Sequence, residues 1–252
     1  MKKKLLSLAA GVVVVAAVVV IGLTFFLGSL VKAGVSRFGP AITKTQVTLA
    51  GASLSPLTGG GTITGLFIGN PPGWHSDKAV YLGRLHLSVV PTSLLGDHIV
   101  IREIDIDQPE FVYETKVFSS NLRDLLKNIE TSTGGGEGST PTAQSRSGKP
   151  LKFEVRRFVL RNGKVTIGTG PAAVTVPLPA LTLTDLGTGE GGITANQLAA
   201  AVMGRVLNHV LTTAAAALTN VGKTAGAAAT NAAAGAATKA GDELKKLFGG
   251  GK

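Results

Sequence analysis

The chain has 252 residues, a length that predicts one domain of ordinary size with additional segments. It contains no cysteine, which excludes disulfides, thiol catalysis and a lipid anchor attached through an N-terminal cysteine. The formal net charge is +10, but aromatic residues make up only 5% and the basic residues form no stripe, so no nucleic-acid partner is expected.

The N-terminal segment carries no charged residue between Lys4 and Lys32 and is rich in Val, Leu, Ala and Phe. About 20 such residues span a bilayer. The three lysines before the segment favour a cytoplasmic N-terminus and an exported C-terminal part. A signal peptide cleaved at Val31-Lys32-Ala33 is the alternative, but its apolar region would usually have only about 7–15 residues. We therefore predict that residues 1–32 form a cytoplasmic tip and a transmembrane helix.

Alternating apolar residues predict strands at residues 47–51, 62–68, 85–89, 99–107 and 111–113. The alternation shifts between Ile101 and Ile104, and a β-bulge around Arg102 and Glu103 would explain the shift. Residues 121–130 instead repeat at helical spacing, which predicts a short amphipathic helix. Residues 131–150 are rich in Gly, Ser and Thr, and they are predicted to form a flexible linker.

A second group of strands is predicted in residues 151–193, where Asn162-Gly163 indicates a hairpin and Pro177 favours an edge strand. A capping box from Thr194 to Gln197 then opens a long Ala-rich helix. The predicted fold is α+β: an N-terminal transmembrane helix, a twisted antiparallel sheet of about eight or nine strands, a short helical insert and the C-terminal helix. The predicted segments are residues 1–32, 33–130 (β-rich), 131–150 (linker), 151–193 (second β region of the same domain) and 194–252 (helical tail).

Few sequence patterns suggest chemistry. Gly187-x-Gly189-x-x-Gly192 has the glycine spacing of a dinucleotide site, but no acidic residue follows about 20 positions later and no strand completes a βαβ unit. Glu103, Asp105 and Asp107 alternate on one strand, which would place their carboxylates on one face. Such a face is either solvated or a cation site. We predict no catalytic residue, no cofactor and no metal, and hence a protein that is not an enzyme.

Three ordered phrases carry a family resemblance: LSPLTGGGTITGLFIGNPPGW (residues 54–74), LGRLHL (82–87) and SLLGDHIVIREIDIDQP (93–109). With the preceding apolar segment, they resemble the N-terminal region of AsmA-family proteins, over about residues 45–130. The resemblance implies a single-pass anchor in the bacterial inner membrane and a periplasmic β-rich domain. It also implies a role in outer-membrane assembly, or in phospholipid movement along a hydrophobic β-groove. Long members stack many β repeats, whereas this chain is short and ends in a helix.

An antiparallel sheet with one apolar face and two covering helices predicts either of two functions. In the first, the face is an open groove that handles phospholipid. In the second, the core is closed and the protein is a structural or interaction module with envelope protein partners and no lipid ligand. The candidate groove lining is Ile63, Phe67, Leu85, Leu87, Val89, Ile99, Ile101, Phe111, Tyr113, Phe153 and Val155.

Overall fold

The computed structural model of the protein describes residue 22 and residues 26–116, 118–133, 148–189 and 191–248. It is an α+β structure, as predicted, with one ten-stranded sheet and three α-helices in these residues. In chain order the elements are α1 (residues 26–43), β1 (Val47–Leu54), β2 (Gly60–Gly69), β3 (Lys78–Val89), β4 (His98–Asp107), β5 (Glu110–Tyr113), α2 (Asn121–Thr133), β6 (Lys152–Arg161), β7 (Gly163–Ile167), β8 (Val174–Leu178), β9 (Leu181–Leu186), β10 (Ile193–Thr194) and α3 (Ala195–Phe248), with short 3-10 helices at Pro91–Leu95 and Gly170–Ala172.

The sheet is mixed, so the prediction of an antiparallel sheet is wrong. β1, β2, β3 and β4 pair antiparallel in chain order, but β4 pairs parallel with β6, and β5 pairs parallel with β7. Parallel neighbours require a long crossover, and the connection from β5 to β6 contains α2. Alternation of side chains is the same in both kinds of pairing, and it therefore does not reveal strand direction.

The hairpin predicted at Asn162-Gly163 is also wrong. β6 and β7 do not pair with each other, and the chain continues through a kink from one strand into the next. Only Asn162 has a positive φ, of 53°, whereas a two-residue hairpin of type I′ needs positive φ at both central residues. Gly163 instead lies in close packing, because a Cβ there would come within 3.1–3.2 Å of side-chain atoms of Leu178 and Pro109. Gln108, with φ 55°, kinks the neighbouring β4–β5 strand in the same way.

The bulge predicted in β4 is confirmed. The register with β3 shifts between Ser88 and Val89, where Arg102 is the additional residue. Ile101 and Ile104 consequently face the same side of the sheet although they are three residues apart. β6 follows β4 without any shift in their parallel register, and its apolar residues change alternation at the same level, between Val155 and Phe158.

Helix α1 continues past Lys32 to residue 43 and runs antiparallel to β1. A Cβ on Gly28 would overlap the carbonyl oxygen of Ala52, and the Lys32 ammonium donates to the carbonyl of Ala50 at 3.3 Å. Carbonyl groups lie in the plane of a sheet, and β1 pairs only with β2. The helix therefore lies beside the open edge of β1. The rest of the predicted transmembrane segment, apart from Gly22, lies outside the described residues.

The two other helices form as predicted, and the first turns of α3 lie against one face of the sheet. The capping box at the start of α3 is confirmed: the backbone N–H of Gln197 donates to the Thr194 hydroxyl, and the Gln197 side chain accepts from the Thr194 N–H at 2.8 Å. Along α2, the buried residues fall at helical spacing. Up to residue 211, the buried apolar residues of the two helices are Leu122, Leu125, Ile129, Val206, Leu207 and Val210.

The chain divides into two compact units, Met1–Leu211 and Thr212–Lys252, with the boundary inside α3. The first unit contains the whole sheet. In the second unit, α3 continues as a helix to Phe248. Most of the predicted linker, residues 134–147, lies outside the described residues.

Candidate functional site: an apolar cavity under helix α3

A cavity of about 300 Å³ lies between the sheet and the first three turns of α3. All of its lining side chains are apolar. Several of them, including Leu85, Phe153 and Met203, are only partly buried, so the cavity is accessible from outside. The lining consists of Leu66, Ile68, Val80, Leu82, Leu85, Ile104, Ile106, Phe111, Phe153, Phe158, Leu160, Ala195, Leu198, Ala199, Val202, Met203 and Val206.

The sheet side of the cavity depends on changes in side-chain alternation. Leu82 and Leu85 of β3 both line it although they are three residues apart, and their partners on β2 are Leu66 and Ile63. Gly65 lies between those partners with a φ of 62°, and a Cβ on it would press against Ala50. A side chain there would be strained, so glycine permits the change of face. In the same way, the bulge at Arg102 brings Ile104 and Ile106 of β4 to the face of the sheet on which Ile101 lies.

The helix side of the cavity follows from the amphipathic pattern of α3. Leu198, Val202 and Val206 recur every four residues, and Ala199 and Met203 lie beside them on the same face. Two alanines, Ala195 and Ala199, lie among these larger side chains. Short side chains at these positions leave part of the space between helix and sheet unfilled.

The predicted groove residues divide into three groups. Leu85, Phe111 and Phe153 line the cavity. Val89, Ile101 and Val155 are buried, while Ile63, Leu87 and Ile99 are partly exposed, and their register partners place all six on the same face of the sheet. Phe67 lies on the opposite face, in a shallow depression beside Trp74, and Tyr113 does not line the cavity.

Sequence reasoning missed the part of the lining that comes from α3. On the sheet it also missed eight lining residues, which are Leu66, Ile68, Val80, Leu82, Ile104, Ile106, Phe158 and Leu160. The shift of alternation after Val155 was a signal for the β6 residues, because it matches the shift recognised in β4. No comparable signal existed for α3, since an apolar helix face does not reveal which strands it packs on.

No family model, curated protein or solved structure matches this chain. The likeness to the AsmA family therefore stays a prediction from the phrases quoted above. The geometry of the cavity is an observation on the structure and does not depend on that likeness.

The three acidic residues predicted on one face of β4 each meet a partner on the following β6–β7 strand. Asp105 forms a bidentate ion pair with Arg161: Nε donates to Oδ1 at 3.0 Å and Nη2 donates to Oδ2 at 2.7 Å. Asp107 accepts from the Asn162 amide at 2.7 Å, and Glu103 lies 3.5 Å from Arg157. The hydrogen bond from Arg161 holds the pKa of Asp105 below its ordinary value. Among the described residues, no three His, Asp or Glu side chains are grouped so that they could hold a metal ion.

A buried carboxylate organises the end of the sheet where β2 leads into β3. Glu114 is 4% exposed and accepts hydrogen bonds from the Asn70 amide and from the backbone N–H groups of His75 and Ser76. In the same loop Trp74 donates to Asp124 at the start of α2. These contacts hold the loop to Glu114 and to α2.

One described helical stretch, Ala195–Asn220, is long and apolar enough to cross a membrane by length and composition alone. Val206, Leu207 and Val210 within it are buried in the first unit. A core helix has the same composition, so this stretch is weak evidence for a membrane span.

Proposed function

We propose that the protein is a non-enzymatic, membrane-anchored component of the bacterial cell envelope that holds an acyl chain of a lipid in the cavity under α3. The N-terminal segment provides a single-pass anchor in the inner membrane, and the β-rich domain lies in the periplasm. The observation that carries the proposal is a cavity of about 300 Å³ with only apolar side chains in its lining. The quoted AsmA-like phrases support the same assignment.

The lining selects against polar ligands. A hydroxyl or amide moved into such a cavity loses its hydrogen bonds to water and finds no side chain to replace them, at a cost of about 2–7 kcal/mol. A hydrocarbon chain has no such cost and gains from the burial of its surface. Ligand sites usually have volumes of about 300–1,000 Å³, so this cavity is at the small end of that range. It suits one acyl chain, with the headgroup outside.

Lipid content tests the proposal directly. The full chain is purified from bacterial membranes in mild detergent and studied by native mass spectrometry, and its bound lipid is identified after organic extraction. We expect phospholipid at a fixed stoichiometry. Ala199→Trp, which fills the cavity, is expected to remove it, whereas Ala201→Trp on the same helix should not, because Ala201 does not line the cavity. Equal lipid content in both folded variants would contradict the proposal.

The alternative is a structural or protein-interaction module without a lipid ligand. It is favoured by the burial of Val206, Leu207 and Val210, since these side chains close part of the sheet face in the manner of an ordinary core. A lipid-free protein that elutes with a stable envelope partner would support this alternative.

A further inference from the structure

Four large apolar side chains are exposed at sites that are distant in sequence. Phe26 and Leu30 near the start of α1 are 63% and 58% exposed. Leu57, in the turn between β1 and β2, is 70% exposed, and Leu95, after β3, is 91% exposed. Exposed leucines are common one at a time, but a group at one place on a surface requires an explanation.

The three segments that carry them meet at one end of the sheet. Because Gly39 packs on Val47 and Gly28 packs on Ala52, the start of α1 lies beside the end of β1. The turn that follows β1 is joined to the end of β3, where the Val89 N–H donates to the Gly59 carbonyl at 2.8 Å. The Pro91–Leu95 turn follows directly. We name this group, Phe26, Leu30, Leu57 and Leu95, the apolar rim.

The chain itself indicates what covers the rim. The uncharged segment between Lys4 and Lys32, predicted to span a bilayer, leads into α1 at this end of the sheet. A domain tied at that point has its nearest surface within reach of the lipid headgroups. The transfer of leucine and phenylalanine side chains from water to the membrane interface lowers the free energy.

We infer that the apolar rim rests in the surface of the same bilayer that holds the N-terminal anchor. This inference rests on the proposed anchor. Phe26 and Leu30 belong to the end of the predicted membrane segment itself, and Leu57 and Leu95 add a second, side-chain contact that orients the domain. Leu87, which is partly exposed, lies between the rim and the cavity residue Leu85 on the same face of the sheet, and Ile63 lies opposite Leu85 on β2. When the rim lies in the bilayer surface, the apolar face of the sheet is next to the lipid.

Single-cysteine labelling tests the inference, because the natural chain has no cysteine. Leu57→Cys and Leu95→Cys carry an environment-sensitive fluorophore in the full chain, reconstituted in phosphatidylethanolamine–phosphatidylglycerol vesicles. Phe118→Cys is the matched control: Phe118 is 94% exposed, but it lies at the opposite end of the sheet, two residues from Lys116, which contacts the Trp74 ring. Brominated lipids are expected to remove most of the emission from the rim probes and little from the control.

The outcomes separate this inference from the proposed function. Vesicle flotation of the labelled chain reports the anchor, and lipid extraction reports the cavity. If the chain floats and the Leu95 and Phe118 probes are quenched equally, the rim contact is wrong and the anchor stands. If the chain does not float, the anchor is wrong and the rim inference is overturned with it. The emission of Trp74, the only tryptophan, provides an internal reference that should not be quenched.

Discussion

At the scale of single residues, Glu114 is a buried carboxylate whose burial depends on its hydrogen bonds. Its carboxylate accepts from three donors in the loop before β3, and its own backbone N–H donates to Asn121, which is fully buried. A buried donor left without a partner costs about 1–3 kcal/mol. Glu114, which is distant in sequence, therefore holds the loop between β2 and β3 together with Asp124 and Lys116.

Glu114→Ala is expected to lower the free energy of unfolding by about 2–4 kcal/mol, since it leaves several donors unsatisfied. Urea titration followed by circular dichroism measures the change. Glu130→Ala is the control, because Glu130 is exposed on α2 and forms no contact of this kind. A Glu114→Ala protein as stable as the control would show that water replaces the carboxylate without loss.

Glu110 provides a pH-dependent contribution to stability. Lys78 and Lys164 donate to it at 2.7 and 2.9 Å and hold the pKa of this carboxyl below its ordinary value of 4.5. A lowered folded-state pKa stabilises the protein above the unfolded-state pKa, and the contribution is lost as the pH falls through the folded value. The pair is partly exposed, so we expect less than about 1 kcal/mol. In urea titrations at pH 7 and pH 3, Glu110→Gln should lose less stability than the natural protein on acidification; an equal loss would contradict this.

At the scale of elements, the contact between α1 and β1 depends on glycine. Gly28 touches the Ala52 carbonyl, while a side chain on Gly34 of the same helix would meet nothing within 4 Å. Gly28→Leu must therefore displace the helix from the edge of β1, whereas Gly34→Leu has room. An uncovered strand edge is a template for pairing with another chain.

We expect Gly28→Leu to destabilise the domain by about 1–3 kcal/mol and to increase self-association. Gly34→Leu should be neutral, or stabilising by up to about 1 kcal/mol through the gain in helix propensity. Thermal unfolding in detergent and size-exclusion chromatography measure both effects. Similar behaviour of the two variants would show that α1 does not protect this edge.

At the scale of the whole molecule, the division within α3 predicts how the chain tolerates shortening. The first unit, Met1–Leu211, contains the sheet, the cavity and the buried residues Val206, Leu207 and Val210. A chain ending at residue 211 is expected to remain folded and to keep its urea midpoint. A chain ending at residue 194 loses the cover of the cavity and should aggregate. Circular dichroism and limited proteolysis distinguish these results, and unfolding of the 211-residue chain would contradict the division.

Local signals predicted several elements correctly because the forces that determine them act between near neighbours. The Thr194–Gln197 capping box is a pair of hydrogen bonds across three residues. The change in apolar alternation between Ile101 and Ile104 is visible in the sequence of β4 alone, without its partner strand. In the same way, Leu122, Leu125 and Ile129 reveal the buried face of α2. Asn162-Gly163 was misleading because its usual meaning, a hairpin, depends on the φ angles of two residues, and only one is positive here.

The sequence by itself determined the uncharged N-terminal segment, the α+β class, the change of alternation in β4 and the start of α3. Only the tertiary structure decided that β4 and β6 run parallel, that α1 lies along β1, and that Ala195 and Ala199 leave a cavity opposite Leu85 and Phe153. The physical reason is that periodicity records which side of an element avoids water, and the same side can be buried against many partners. The choice among partners depends on how distant side chains fill space together.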